Sequence, residues 1–263
     1  MTFREENRGG VILETAPNIG VKHAFTTRHG GVSRGVWSSL NLGTTRGDVP
    51  EDVDKNYDLL CRALDIRRER LCFTRQVHST VVRPVTGADC HTLFTPIPYE
   101  ADGLITNEPG LPLICFAADC VPILLWAPDA PAVGAVHAGW KGTVGDIAGH
   151  AVREMVRLYG ADPGKMQAAI GPHIGYCCFE TGAEVPTAVR ETLGAEAERF
   201  IRPKGEKFHV DLTVVNRALL CRAGVPEENI TATDACTMCM PERYWSHRVT
   251  KGERGVQAAV IQL

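Results

Sequence analysis

Largely apolar runs occupy residues 121–126 and 132–137, on either side of the turn Pro128-Asp129-Ala130-Pro131. Short apolar runs bounded by turn residues predict buried strands, and a connection this brief predicts that they pair as a hairpin. Cys120 stands at the head of the first run and His137 at the tail of the second, so the hairpin brings both side chains to one end of a sheet. Beyond His137, the glycine-bearing turn Ala138-Gly139-Trp140-Lys141-Gly142 leads into an amphipathic helical pattern marked by Val144, Ile147, Ala151, Val152, Met155 and Tyr159 and closed by Gly160.

The same periodicities predict the rest of the chain. Residues 11–15 and 21–26 read as strands around Pro17-Asn18. Residues 50–64 read as a packing helix, with Val53, Tyr57, Leu60 and Leu64 at helical spacing and Glu51 and Asp52 in the first turn, where the helix dipole favours acids. Residues 71–73 and 81–85 bracket a strand region that carries His78 near its middle, and residues 101–106 read as a turn at Asp102 entering a strand. A strand at 166–170 leads into a loop at 171–180 with the vicinal pair Cys177-Cys178. Helices are predicted at 183–193 and 212–223, the second with Asp211 as N-cap and Gly224 as its stop, and closing strands at 229–235 and 256–263. Strands interleaved with helices, without a long linker or repeat, predict a mixed α/β fold with residues 1–263 as one catalytic domain.

Composition narrows the function. A formal charge of -3 and a pI near 6.3 give no basic footprint for nucleic acid, so small or neutral partners are expected. The N-terminal residues lack the apolar core of a secretory signal, and the most apolar stretch, 111–128, is broken by Asp119 and three prolines. A cytoplasmic protein without membrane contact, monomeric or weakly homo-oligomeric, is expected. The ten cysteines are scattered through a long chain and are read as free thiols, including the single Cys236-Thr237-Met238-Cys239 motif, which is half of a zinc knuckle.

Candidate chemistry collects at the strand margins. His78, Cys120 and His137 are three ligands of His/Cys type, and three such ligands leave a fourth tetrahedral position open, the pattern of a catalytic zinc. The alternative is a Cys120–His137 nucleophile pair without metal. Arg28, in the segment Thr27-Arg28-His29-Gly30-Gly31, stands at the mouth of a turn whose backbone N–H groups suit an oxyanion. The polar segment Ser38-Ser39-Leu40-Asn41-Leu42-Gly43 is read as a loop carrying Asn41.

His78 in RQVHS, Asp102 in ADGLIT, Cys120 in ADC, His137 in VHAGWKG, the GPHIGYCCFE loop and the TRHGGVS and SLNLG segments together resemble the YfiH/YlmD family, described both as polyphenol oxidases and as purine nucleoside phosphorylases. The resemblance runs from about Ala24 to the final strand. It implies a four-layer αββα sandwich similar to the catalytic domain of cytotoxic necrotizing factor toxins. It also implies a zinc site at His78, Cys120 and His137, and phosphorolysis of adenosine, inosine and methylthioadenosine together with adenosine deamination. Lys141 follows Trp140 where the family usually has arginine, and Tyr244-Trp245-Ser246-His247-Arg248 departs from the family's aromatic-Ser-Tyr-Arg run.

On this reading Arg28 holds phosphate, Arg28, Asn41 and Gln76 contact substrate, and Asp102 handles protons beside the metal. Zinc deaminases use a His-x-Glu glutamate, which the chain lacks, so Asp102 enters by inference. Two alternatives stay open. Copper could occupy the same ligands and support polyphenol oxidation, although the chain has no His-x-His pair of the kind that multicopper chemistry uses. A Cys120–His137 hydrolase would fit a small amide such as a peptidoglycan precursor.

Overall fold

The structure, a computed structural model, describes residues 2–263. The chain opens with strands β1 (Arg4–Arg8), β2 (Val11–Thr15) and β3 (Lys22–Thr26), followed by helix α1 (Pro50–Leu64). Strands β4 (Val82–Pro84), β5 (Gly103–Thr106), β6 (Leu113–Ala117), β7 (Val121–Ala127) and β8 (Ala132–Ala138) come next, then helices α2 (Trp140–Val144) and α3 (Ile147–Tyr159). The second half holds β9 (Gln167–Ile170), β10 (Glu180–Thr181), α4 (Glu184–Leu193), β11 (Ile201–Lys204), β12 (Lys207–Val210), α5 (Leu212–Arg222), β13 (Ile230–Ala232), α6 (His247–Thr250) and β14 (Gln257–Gln262).

Five strands form an antiparallel sheet in the order β1-β2-β3-β14-β6, and six form a mixed sheet in the order β13-β9-β7-β8-β5-β4. Burial explains the layering. Val53, Tyr57, Leu60 and Leu64 of α1 pack on Val11, Leu13, Ala24 and Val260 of the five-stranded sheet. The opposite face of that sheet, with Phe25, Leu113 and Ile261, meets Leu104, Leu124 and Val133 of the six-stranded sheet. Ile123, Leu125 and Val136 then point the other way, onto Ala151 and Met155 of α3 and Leu219 of α5. The order is helix, sheet, sheet, helices. β7 and β8 are covered on both faces, which is why their sequence reads as apolar runs and not as an alternation.

β7 and β8 pair as the expected hairpin, with Val121 opposite Ala138 and Pro122 opposite His137. The α1 helix and the Asp211 cap of α5, whose carboxylate accepts from the Val214 N–H at 3.1 Å, also follow the sequence pattern. Three expectations change. The helical pattern after His137 begins at Trp140 and is broken at Gly145, because Asp146 starts a new helix by capping the Gly149 N–H at 3.2 Å. The hairpin of β11 and β12 and the edge strand β1 were not expected, since both are mostly polar and lean on backbone pairing. Residues 71–85 are not a continuous strand: His78 sits in a loop with a φ of 62°.

Candidate metal centre and its cavity

The β7–β8 register delivers Cys120 and His137 to one sheet end, and the loop before β4 adds His78. The His78 Nε2 lies 3.6 Å from the Cys120 Sγ, the two imidazoles meet edge to face at 5.0 Å between centroids, and the ligand atoms of all three residues lie within 4.8 Å of one another. In a tetrahedral zinc site with bonds of about 2.3 Å to sulfur and about 2.0 Å to nitrogen, the edge between the two ligands is about 3.6 Å. The His78–Cys120 separation matches that edge, and the His137 donor lies within reach of the same ion. Gly139 makes the approach possible, because a Cβ there would lie 2.6 Å from the His78 ring and 3.3 Å from the Cys120 sulfur.

One buried carboxylate holds two of the three ligands. Asp102 Oδ1 bonds the His137 Nδ1 at 2.8 Å and accepts the His78 backbone N–H at 3.0 Å. Its Oδ2 accepts the Ser79 N–H and hydroxyl, each at 2.7 Å, and the Val77 N–H at 3.2 Å. These converging donors form an anion nest around Asp102 and hold His78 in its left-handed conformation, which is uncommon for a residue with a side chain. Burial alone would raise the Asp102 carboxyl, but the bonds from His137 and Ser79 outweigh it and hold the group well below the usual carboxylate range. Burial opposes charge on His137, yet the Cys120 thiolate and then Asp102 raise its pKa to about 9. Burial likewise pushes the Cys120 thiol up, and His137 followed by His78 brings it down to about 6.

A proton-handling role for Asp102 does not suit this geometry. Both of its oxygens are engaged, it is 2% exposed, and it does not line the cavity described below. Its bond to Nδ1 orients the His137 ring, as partners of metal-bound histidines do. Replacing Asp102 with Asn is expected to lower metal affinity by roughly 10- to 100-fold and to destabilise the metal-free protein by about 3–5 kcal/mol at pH 7. A carboxyl with a depressed folded pKa stabilises above its unfolded value, near pH 4, and that stability is lost as pH falls. Urea unfolding at pH 7 and pH 3 should therefore show a gap between the two proteins that shrinks in acid. An equal gap at both values would remove the charged carboxylate from the account.

The sequence pattern does not mark Asp119, which anchors the chain directly before Cys120. It sits at a φ of 83°, its Oδ1 accepts the Thr237 hydroxyl at 2.6 Å, and its Oδ2 accepts the Arg248 N–H at 2.6 Å.

His78, Cys120 and His137 open onto a cavity of about 1010 Å³. Phe73, Phe116, Trp140 and Phe179 give it apolar walls, and Arg46, His247, Arg248 and Arg254 also line it. Arg254 is 7% exposed, and its Nε has no hydrogen-bond partner. Burial and then the neighbouring Arg46 lower its pKa to about 10, the response of a guanidinium packed beside another cation.

Of the expected substrate contacts, Gln76 reaches this cavity, although its amide is paired with the N–H and carbonyl of Phe116 at 2.7 Å each. Arg28 and Asn41 do not reach it. The Arg28 guanidinium donates to the Ser38 carbonyl at 2.7 and 3.0 Å and to the Pro241 carbonyl at 2.7 Å, and it stacks on Trp245 at 3.9 Å. It latches the 28–39 loop to the C-terminal segment and does not face an anion. Asn41 is fully buried: its amide donates to Asp48 at 2.9 Å and accepts the N–H groups of Gly43 at 2.9 Å and Val256 at 3.1 Å. It shapes the loop that carries Arg46.

Comparison with known proteins agrees with this architecture. Residues 22–263 match the sequence model of the family described as "Multi-copper polyphenol oxidoreductase laccase". The purine nucleoside phosphorylase YlmD of Geobacillus stearothermophilus is 38% identical over 98% of this chain and 96% of its own. The adenosine deaminase RL5, from an unknown prokaryotic organism, is 35% identical over 90% of this chain and 92% of its own. The crystal structure of YfiH from Bacillus licheniformis superposes with a TM-score of 0.93 at 32% identity, covering 99% of this chain and 98% of that one. A match that spans nearly the whole chain in both sequence and structure shows that the protein belongs to the YfiH/YlmD family of laccase-domain proteins.

Proposed function

We propose that the protein is a zinc-dependent purine nucleoside phosphorylase acting on adenosine, inosine and methylthioadenosine, with adenosine deamination as a second activity of the same cavity. The observation that carries the reading is the juxtaposition in one cavity of the His78–Cys120–His137 donor set, aromatic walls and a buried arginine with an unpartnered Nε. The names of the relatives, phosphorylase and deaminase, supply the substrate class.

Phosphorolysis joins a phosphate oxygen to the ribose C1′ while the bond from C1′ to the purine nitrogen breaks and its electron pair leaves with the base. The chain must therefore hold an anion, pack the base and exclude water. Arg254, Arg46 and Arg248 replace Arg28 as the anion holders: the buried Arg254 guanidinium spends one N–H on the Gly255 carbonyl at 3.2 Å and leaves its Nε without a partner, so it gains from an incoming phosphate. Phe73 and Phe116 offer apolar faces to the purine. Zinc, when bound by His78, Cys120 and His137, supplies a Lewis acid in the cavity wall. Asp102 and Asp119 keep those ligands in place. The substrates are small, and among the described residues no helix is long and apolar enough to cross a membrane, which suits a cytoplasmic enzyme.

Two imidazoles and a thiolate also suit copper, so the metal itself is part of the test. The donor set supports one ion there and not a multicopper cluster: among the described residues, the other group of metal-type ligands contains only cysteines. A metal-free hydrolase reading draws on the Cys120–His137–Asp102 chain, which has the connectivity of nucleophile, base and orienting acid. In that reading the His78 ring, 3.6 Å from the Cys120 sulfur, serves only to help hold the thiolate.

The reaction is tested by incubating the purified enzyme with adenosine, with and without phosphate, and separating the products by chromatography. Free adenine and ribose 1-phosphate are expected only with phosphate, and inosine in both. Phenol oxidation with stoichiometric copper and no sugar phosphate would replace the phosphorylase reading with the oxidase one.

A further inference from the structure

Four cysteines that the sequence pattern leaves as free thiols are brought together away from the cavity. Cys177 and Cys178 lie on the loop after β9, and Cys236 and Cys239 on the segment after β13. β9 and β13 are parallel neighbours, with Ala169 opposite Thr231, so their C-terminal ends leave the sheet side by side. The segments stay together beyond it: His173 and Cys236 form an isolated bridge, and the Thr237 N–H donates to the His173 carbonyl at 2.9 Å.

The four sulfurs all lie within 4.8 Å of one another, with Cys178 to Cys239 at 3.3 Å and Cys177 to Cys239 at 3.5 Å. These separations are far longer than a disulfide bond of about 2.05 Å. They are close to the edge of a tetrahedron of four thiolates around one zinc, about 3.8 Å for bonds of about 2.3 Å. The Gly175 N–H points at the Cys236 sulfur at 3.2 Å, a bond that favours the thiolate. A Cβ at Gly175 would lie 3.1 Å from the Cys236 Cβ and 3.3 Å from the Cys177 sulfur, so the loop approaches closely where glycine leaves room.

We propose that Cys177, Cys178, Cys236 and Cys239 form a closed tetrathiolate site for a second, structural metal ion, a thiophilic divalent cation of the zinc class. With four protein ligands there is no open position and no place for substrate, in contrast to the centre in the cavity. The task of the ion is to staple the loop after β9 to the segment after β13. Thr237, adjacent to the ligand Cys236, holds Asp119, and the Ile174 N–H, one turn before Cys177, donates to the Asp119 carbonyl at 3.0 Å. The staple thus braces the residue that precedes Cys120.

The test uses the full chain with the cavity ligands replaced (His78→Ala, Cys120→Ala, His137→Ala), purified in reductant without added metal and analysed by elemental mass spectrometry. About one zinc per chain is expected. Adding Cys236→Ser and Cys239→Ser should remove it. If that protein does not fold, the cavity-replaced protein loaded with cobalt(II) is read instead, and intense thiolate-to-cobalt absorption is expected. Absence of metal, an iron chromophore in place of zinc, or a disulfide joining Cys239 to Cys177 or Cys178 in non-reduced peptide mapping would each overturn the proposal.

Discussion

Replacing Cys120 with alanine is expected to remove one metal ion per chain and to abolish turnover of adenosine while leaving the fold intact. The fold survives because Cys120 is only half-buried at a sheet end, outside the three core clusters. The metal does not, because the thiolate is the softest of three donors, and its loss should cost more than the roughly 10- to 100-fold that follows loss of an orienting partner. His78→Ala and His137→Ala should behave alike in metal content. They should differ in stability, since His137→Ala leaves the buried Asp102 carboxylate without its imidazole, whereas His78 is exposed. Circular dichroism, urea unfolding and elemental analysis of the three proteins separate these effects. Full retention of metal by the Cys120→Ala protein, with loss of activity, would take Cys120 out of the ligand set and favour the nucleophile reading.

The second large effect is expected at Arg254. Changing it to Met keeps the length and apolar stem of the side chain, so the packing of a residue that is 7% exposed is largely preserved. What is lost is a charge-assisted contact worth about 1.5–3 kcal/mol, which corresponds to a phosphate requirement raised by about 10- to 150-fold. Metal content should not change. Arg28→Ala is the matched control: its guanidinium is spent on backbone carbonyls and Trp245, so it should lose stability and keep the phosphate dependence of the unaltered enzyme. Steady-state rates against phosphate concentration decide the matter. Were the effects reversed, with Arg28→Ala raising the requirement and Arg254→Met leaving it unchanged, the anion would belong at the glycine loop.

How far local sequence reaches is shown by the elements themselves. The β7–β8 hairpin was legible because two apolar runs and a five-residue spacer leave one economical pairing, and that pairing by itself places Cys120 and His137 together. Helix α1 and the Asp211 cap were legible for the same reason, since periodicity and capping act within a few residues. The mixed α/β class follows from the alternation of such elements. Arg4–Arg8 and the β11–β12 pair escaped because mostly polar strands take their order from backbone bonds to a neighbour, which leave no apolar signature.

Only the tertiary structure decided how the side chains of the site are used. The local pattern reads Asp102 as a turn residue, and the family resemblance adds a proton-handling role. Asp102 becomes the organising anion because five hydrogen bonds from residues 77–79 and 137 converge on it. Arg28 and Arg254 carry the same charge, but Arg28 has all three guanidinium nitrogens on backbone carbonyls, whereas Arg254 lies beside Arg46 in the cavity wall with its Nε unpartnered. Cys177 and Cys239 are 62 positions apart, and a single Cys-x-x-Cys motif does not identify its partner. Local pattern records which residues are buried and in what period. Which polar groups meet depends on the packing of distant segments, and there hydrogen-bond geometry and desolvation, not propensity, fix what each residue does.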